Sequence, residues 1–430
     1  MESVIEKKIE KKPSSIFKNK NFLYLFIGKL ASQLGDVIYN MAIGWYILSI
    51  THSGLQMSFY MIAGTVVYMV VVPIGGVIAD RVDRKLMIVL MDIIRAGIVA
   101  LVGVSMYFRI TSIWIFYLSS IILSICGALF VPSSNALIPN IINRDQLSKA
   151  NSAAGLIGSI SNLAGMAVGG LLYAIIGIKG IFLINSISYF ICGILEMFIV
   201  VERRQRNNEE KLLQKNFIVP ILKDMKEGFI YLKNIKAIFI LVCFFSLFNL
   251  IMVPMLAVYL PYIFNVVLKT SVKTYSMVQV GMTVGAMSGA LLMGILPQRE
   301  KVHRTVLLTM IVTSLLFILV SILFFMYMEA FISKFLLIVL LGILFFFGGG
   351  INAICNIPVN VVIQKSIPDE FMGRASALIN TLVMAAMPLG MFLGGATADT
   401  IPMQYLILGI ALLCLLLTII FLKLKEVKSI

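Results

Sequence analysis

Long apolar runs, broken by glycine, proline or short charged stretches, follow one another along nearly the whole chain. Read as helices, they predict spans near 22–50, 55–79, 86–107, 112–138, 152–176 and 178–201, then near 236–265, 274–297, 303–327, 332–363, 371–397 and 402–423. A helix needs about 20 apolar residues to cross a bilayer, and each run supplies about that many or more. The one long polar connection opens Glu202-Arg-Arg-Gln-Arg-Asn-Asn-Glu-Glu-Lys211 and separates six spans from six. The pattern predicts an all-α membrane protein of about 12 transmembrane helices in two six-helix bundles, at 22–201 and 236–423. A polar tail covers 1–21, a linker 202–235 and a short tail 424–430. Within the linker, Ile218, Ile221, Leu222, Met225, Phe229 and Leu232 recur at helical spacing with Lys223, Lys226 and Lys233 between them, which predicts an amphipathic helix on the inner membrane surface.

Composition narrows the function classes. Of 430 residues, 60% are hydrophobic and 13% charged, so a water-soluble globule is excluded and no sizeable soluble catalytic domain fits beside the spans. A net charge of +15 would suggest nucleic acid in a soluble protein, but basic loops set membrane topology. With the N-terminus inside, the inner segments hold 28 of the 35 Lys and Arg, the outer loops five and the spans two, which places both termini in the cytoplasm. The apolar stretch after the first tail is too long for a signal-peptide core and reads as a retained helix. Five cysteines, Cys126, Cys192, Cys243, Cys355 and Cys414, fall inside apolar runs without metal-ligand spacing and read as packing residues.

After the second predicted span comes Gly76-Val-Ile-Ala-Asp80-Arg81-Val-Asp83-Arg84-Lys85. The stretch matches G-x-x-x-D-R-x-x-R-K, and in it the chain resembles the major facilitator superfamily, which carries this signature between its second and third helices. The physics suits a gate, because the glycine permits close helix approach and Asp80 at a helix end pairs in only one packing state. The second half holds a counterpart, Gly294-Ile-Leu-Pro-Gln298-Arg299-Glu300-Lys301-Val-His303-Arg304, with Gln298 in place of the acid. Such a repeat is expected of a transporter built from two similar bundles around a central site. In the fifth span, Gly165-Met-Ala-Val-Gly169-Gly170 resembles the G-P-x-x-G-G signature of the antiporter branch, with Met166 where the proline would be. Small residues at this spacing also allow tight helix packing in a bilayer.

Further stretches are similar to the macrolide-efflux and siderophore-export branch of the bacterial drug:H⁺ antiporters. They are Gly28 to Asp36, the pair Asp92 and Arg95, Phe130 to Pro139, and Gln364 to Arg374. The similarity runs from about Asn21 to Lys423. It implies a multi-pass bacterial plasma-membrane exporter, whose partners are a small amphipathic organic substrate, protons and the lipid bilayer, with no nucleic acid, and which works as a monomer. Many exporters carry a fourth-helix arginine associated with proton coupling; residues 112–138 contain none.

The first span carries the strongest chemical signal. Lys29, Gln33, Asp36 and Asn40 recur at helical spacing on one face. Asp36 lies about 14 residues into the run, about 21 Å along a helix and close to the bilayer midplane. A carboxylate there is disfavoured by a few kcal/mol or more, so it is paired, protonated or facing water. Three roles follow: a coupling or substrate site, an ion pair with Lys29 or another helix, or a hydrogen-bonded gate. Lys29 alone is expected to snorkel toward the inner surface. Asp92 and Arg95, at i and i+3, are expected to pair with each other or with the nearby motif. Glu196 is expected to reach the inner interface, and Asp399 and Glu329 sit at outer ends where no special role is required.

Uncharged polar residues within spans, among them Asn135, Asn249, Gln279, Asn352 and Asn356, together with Tyr39, Trp45, Tyr60, Phe248 and several of the 25 methionines, suit a broad and mainly apolar pocket. No H-E-x-x-H, G-x-S-x-G or P-loop occurs, so neither an enzyme nor direct ATP coupling is expected, and no cofactor or metal is implied. The leading reading is proton-coupled efflux of amphipathic compounds of the macrolide class by alternating access. The alternative is an exporter or importer of a siderophore, peptide or other metabolite with the same fold.

Overall fold

The computed structural model describes residues 15–201, 230, 233, 235–295, 302–367 and 369–424. The predicted linker helix, the centre of the second motif at Gln298 and Arg299, both distal tails and the Asp80 side chain lie outside the described residues. Among the described residues the chain is helical throughout. Helices α1 to α4 are Lys20–Thr51, Gly54–Arg81, Arg84–Tyr107 and Ile113–Ile141. The run Leu147–Met197 contains one residue with non-helical backbone, Gly177 (φ 66°, ψ 179°), which divides it into α5 (147–176) and α6 (178–197). Two spans with a turn between them were expected here, and one left-handed glycine suffices. Helix α7 is Lys236–Val267, followed by α8 (Val272–Ile295), α9 (Val302–Met328), α10 (Lys334–Ser366), α11 (Asp369–Ala398) and α12 (Met403–Lys423).

Local chemistry sets the ends. Asn19, Ser53, Asp83 and Ser333 cap α1, α2, α3 and α10 by accepting a backbone N–H from three residues on. Helices α1, α3, α7 and α9 stop at outer ends near residues of positive φ, His52, Arg109, Lys269 and Ala330, where the left-handed turn closes the helix. Pro254 and Pro261 widen α7 into π-helical turns at Met255–Tyr259 and Ile263–Val267. Among the described residues ten stretches are long and apolar enough to cross a membrane, one of them holding both α5 and α6. Helix α1, with 32 residues, is long enough but is not among these ten, because Lys29, Gln33, Asp36 and Asn40 interrupt its apolar run.

Glycine fixes how closely the helices approach. Gly75 of α2 faces the Ala128 carbonyl of α4, whereas nothing lies within 4 Å of a side chain built at Gly76. The close approach predicted at Gly76 thus falls one residue earlier. Gly165 and Gly169 of α5 lie against Val37, Ile38 and Met41 of α1. In the second half, Gly390 and Gly394 of α11 lie against Leu250 and Pro254 of α7 in the same manner. Cys126, Cys192 and Cys414 are buried as expected, but Cys243 is exposed and Cys355 is half-buried.

The two halves meet toward their outer ends through a symmetric pair of contacts. Gly170 of α5 packs on Ser276 of α8, and Gly395 of α11 packs on Ser58 of α2; a side chain at either glycine would collide with the serine opposite. Asn265 donates to the Trp45 carbonyl at 3.2 Å, and the Trp45 and Tyr275 rings lie 5.2 Å apart. Asp399 at the end of α11 accepts from Ser53 Oγ (2.6 Å) and from the Gly54 and Leu55 amides (2.6 and 3.1 Å), at the positive start of α2. Asp399 therefore has a role that its outer position alone did not suggest: it latches the bundles. Replacing Gly170 by leucine is expected to wedge α5 from α8. With spin labels at exposed Ile110 and Phe331 and with Cys243 and Cys355 changed to alanine, the outer distance should lengthen; an unchanged distance would remove Gly170 from the closure.

Candidate functional site

Arg95 of α3 is 1% exposed and forms the centre of a charged cluster in the first bundle. Its Nη1 lies 3.2 Å from Asp92 Oδ1 and 3.8 Å from Asp36 Oδ2. Its guanidinium carbon is 4.9 Å from the Phe130 ring centre and 5.7 Å from that of Tyr189. Gly127 of α4 leaves room for it: a side chain there would meet Nη2 at 3.2 Å. A guanidinium thus rests on the fourth helix, which has no arginine of its own, but it is carried by the third. The two carboxylates find further donors, Asp92 Oδ2 from Ser32 Oγ at 2.6 Å and Asp36 Oδ1 from Tyr189 OH at 2.7 Å. Helices α1, α3, α4 and α6 converge here.

The members of the cluster differ in access. Asp92 is wholly buried, whereas the Asp36 side chain keeps 31% of its surface open. Asp36 is therefore the least enclosed of the three charged members. Of the ion-pair partners considered for Asp36, Lys29 or a residue of another helix, it is the second: Arg95 of α3 takes that place. Lys29 does not snorkel: it is 5% exposed and donates to Asn135 Oδ1 of α4 at 2.6 Å. The desolvated ammonium and the amide oxygen form a charge-assisted hydrogen bond.

The four polar residues of α1 share a face but are taken up by different neighbours. Gln33 Oε1 is buried without a hydrogen-bond partner, on the side of Gly158 of α5. Asn40 donates to the Asp36 carbonyl at 2.8 Å and accepts from Tyr60 OH of α2 at 2.8 Å. Asp92 and Arg95 pair as their spacing predicts. Glu196 does not reach the interface: it is fully buried against Gly28 of α1, and both its carboxyl oxygens lack a hydrogen-bond partner. At the inner end of α2, Arg84 donates to the Ala79 and Ala136 carbonyls (3.1 and 2.8 Å), tying α2 and α3 to α4, and Asp83 caps α3 through the Leu86 amide. Arg81 and Lys85 stand beside them on the same inner rim.

The second bundle holds a cavity of about 340 Å³ between α7, α8, α9, α10 and α11. Phe245, Phe248, Met252, Met310, Phe317 and Met391 supply its apolar wall, and Asn249, Thr313, Asn352 and Asn356 its polar groups. No charged side chain lines it among the described residues. Asn249, Asn352, Asn356 and Phe248 were expected at a pocket, and Cys355 joins them there. Tyr39 and Tyr60 are core residues instead, each 1% exposed. Among the described residues no three metal-ligating side chains converge.

Two helical bundles that cross a membrane, close against each other at one end and bury ionisable side chains in their interior define a membrane transporter, not an enzyme. The chain belongs to the major facilitator superfamily, whose profile matches residues 25–391. It is 25% identical over 396 residues to macrolide efflux protein A of Streptococcus pyogenes, covering 92% of this chain and 94% of that one. It is 24% identical over 420 residues to the multidrug efflux pump Tap of Mycolicibacterium fortuitum, covering 96% and 97%. Among solved structures, the nucleoside transporter NupG superposes with a TM-score of 0.68 at 15% identity, over 94% of this chain and all of that one. A bacterial homologue of the iron transporter ferroportin, in an inward-facing state, superposes with a TM-score of 0.67 at 16% identity, over 95% and 99%. These likenesses carry the fold.

Replacing Asn135 by leucine should strand the buried Lys29 ammonium and lower stability by about 1.5–3 kcal/mol. Lys29→Met added to it should restore much of the loss. Tm values of the four proteins of this double-mutant cycle test the coupling, and additive effects would dissolve the pair.

Proposed function

We propose that this protein is a secondary-active exporter of amphipathic organic compounds, of the drug and macrolide class, that exchanges its cargo for protons by alternating access. The observation that carries the coupling step is Asp36, open on one side and 3.8 Å from the buried Arg95 on the other. At an effective dielectric constant of about 20, opposite charges near 4 Å attract by about 4 kcal/mol, and a proton on Asp36 removes that attraction. Protonation then frees Arg95 to turn wholly to Asp92, and loosens α1 from α3 and α6. An ionised Asp36 draws the helices together again. The proton changes helix packing because the acid and its cation sit on different helices. Rocking of one bundle against the other would carry that change to the gates.

The inner gate in this reading is the motif from Gly76 through Asp80 and Arg81 to Lys85 at the α2 to α3 connection, anchored by Asp83 and Arg84, with Gly75 making the close helix contact. The outer gate is the pair of glycine contacts with the Asp399 latch. Gly165 and Gly169 hold α5 on α1, while Gly170 faces the other bundle, so movement at Asp36 is passed through α1 and α5 toward Ser276. The relatives named as macrolide and multidrug efflux proteins, matched over more than nine-tenths of the chain, favour export and a bulky amphipathic cargo.

Inside-out vesicles with an imposed pH gradient test the reading with erythromycin, tetracycline and fluorescent amphipathic cations. Wild type should accumulate cargo in a gradient-dependent manner, and Asp36→Asn should abolish accumulation while cargo still binds. Unchanged accumulation in Asp36→Asn would make the acid structural. If none of these compounds moves with wild type, a siderophore, peptide or metabolite carrier takes the place of the drug exporter.

A further inference from the structure

The charged cluster and the cavity occupy the same place in the two halves of the chain. The register of the halves follows from their contacts. Gly165 approaches the Leu34 carbonyl and Gly169 the Ile38 Cα, while Gly390 approaches the Leu250 carbonyl and Gly394 the Pro254 Cα. Each glycine is displaced by 225 positions and each partner by 216. Helices α2 and α8 share a shift of 218, which relates Ser58 to Ser276 and Gly76 to Gly294, and the first residues of α3 and α9, Arg84 and Val302, keep it. The C-caps of α4 and α10, Ile142 and Ile367, give 225.

In that register the polar face of α1 becomes a wall of the cavity. Lys29 corresponds to Phe245 and Gln33 to Asn249, and further along Asp36 corresponds to Met252 and Asn40 to Leu256; all four counterparts line it. From α3, Asp92 corresponds to Met310 and Arg95 to Thr313, again both on the lining. Gly127 and Phe130, which receive the guanidinium, correspond to Asn352 and Cys355, which line it too. Every ionised group of the first bundle's cluster is thus replaced by a neutral one, and the space Arg95 fills in one half is open in the other.

We propose that this cavity is the cargo subsite, and that it takes an uncharged, mainly apolar limb bearing an amide or hydroxyl. The assignment rests on the export reading for its cargo, though its test needs no transport. The cavity is open at the exposed Asn352 and Asn356, so a ligand can enter there and gain by removing the apolar wall from contact with water. The volume lies at the lower end of the roughly 300–1,000 Å³ of drug-sized ligand pockets, so it receives one limb of a large cargo or the whole of a small one. Methionines on opposite walls adapt to different shapes. Asn356 donates to the Asn352 carbonyl and to its Oδ1 (2.9 and 3.2 Å), which orients two amides on the α10 wall to meet a polar substituent. A cation would meet no counter-charge in this wall among the described residues, and cationic limbs are left to Asp36 in the opposite half.

Cys355 reports on occupancy. In full-length protein purified in detergent, its alkylation by N-ethylmaleimide is followed by peptide mass spectrometry with chloramphenicol, a neutral amide, or with tetraphenylphosphonium, an apolar cation. Chloramphenicol should slow alkylation several-fold and the cation should not. Nothing lies within 4 Å of a side chain built at Gly348, so Gly348→Leu places its side chain in the cavity and should weaken chloramphenicol binding, measured by equilibrium dialysis, about tenfold or more. Asn352→Leu should weaken it without filling the space. Absence of protection by chloramphenicol, equal protection by the cation, or wild-type binding in both folded variants would overturn the assignment. Protection at Cys355 without vesicle transport of any compound would leave the subsite standing and defeat the export reading.

Discussion

Burial of the Arg95 guanidinium is the constraint on which the first bundle depends. A full positive charge at 1% exposure within a membrane-spanning bundle is tolerable only with anionic and π partners around it, and these come from three other helices as well as its own. Gly127 has to be small so that α4 can approach, Ser32 has to satisfy the second oxygen of Asp92, and Tyr189 has to hold Asp36 from α6. Lys29 solves its own burial separately, through one amide of α4. The interior of this half is therefore specified by electrostatics more than by shape. Apolar packing of lipid-like side chains gives little orientational preference inside a bilayer, whereas each of these polar contacts fixes a helix rotation.

The contact between the halves follows a different rule. Gly170 and Gly395 let α5 and α11 approach Ser276 and Ser58 so closely that no side chain fits, and the two contacts are equivalent within the chain. Such a pair forms a balanced closure, in which neither half is tilted more than the other. The Asp399 latch breaks this balance, because it acts on the start of α2 and its repeat position in the first half is Ala174. Closure at the outer end thus combines a symmetric steric fit with one asymmetric electrostatic contact. The steric part brings the ends together; the latch is the part that competing ions or a helix rotation can release.

Most of the architecture was legible in the sequence because apolar run length and the distribution of Lys and Arg are one-dimensional signals. The Gly76 and Gly294 motifs also disclosed the repeat. The partners of the buried charges were less legible, since they depend on the rotation of one helix against another. Nothing local in Lys29 announces that Asn135, 106 positions away, takes its proton donors, or that Gly28 makes the space in which Glu196 is buried. The one-residue displacement of close packing from Gly76 to Gly75 has the same origin, because about 100° of rotation separates neighbours on a helix. For the cavity, its asparagines and Phe248 could be picked out from the chain, but Cys355 read as ordinary packing. A repeat register applied to the charged face of α1 would have found it, by asking what stands at the same positions in the other half.

Duplication within the chain separates what the fold needs from what the chemistry needs. The glycines at helix contacts recur in both halves, at Gly165 and Gly390 and at Gly169 and Gly394, because backbone distance depends on them. Interior positions carry no such demand and have diverged completely in charge: Asp36, Asp92 and Arg95 in one half stand where Met252, Met310 and Thr313 stand in the other. Placing both functions in one bundle would set a buried guanidinium beside an apolar ligand, and the ligand would strip the cluster of the polar contacts that make its burial tolerable. With the two in opposite bundles, each keeps its own dielectric surroundings. In the proposed reading, an uncharged limb held in the second bundle does not touch the cluster, so its binding is felt at Asp36 through the movement of the bundles, which is how a proton and a neutral cargo would be coupled.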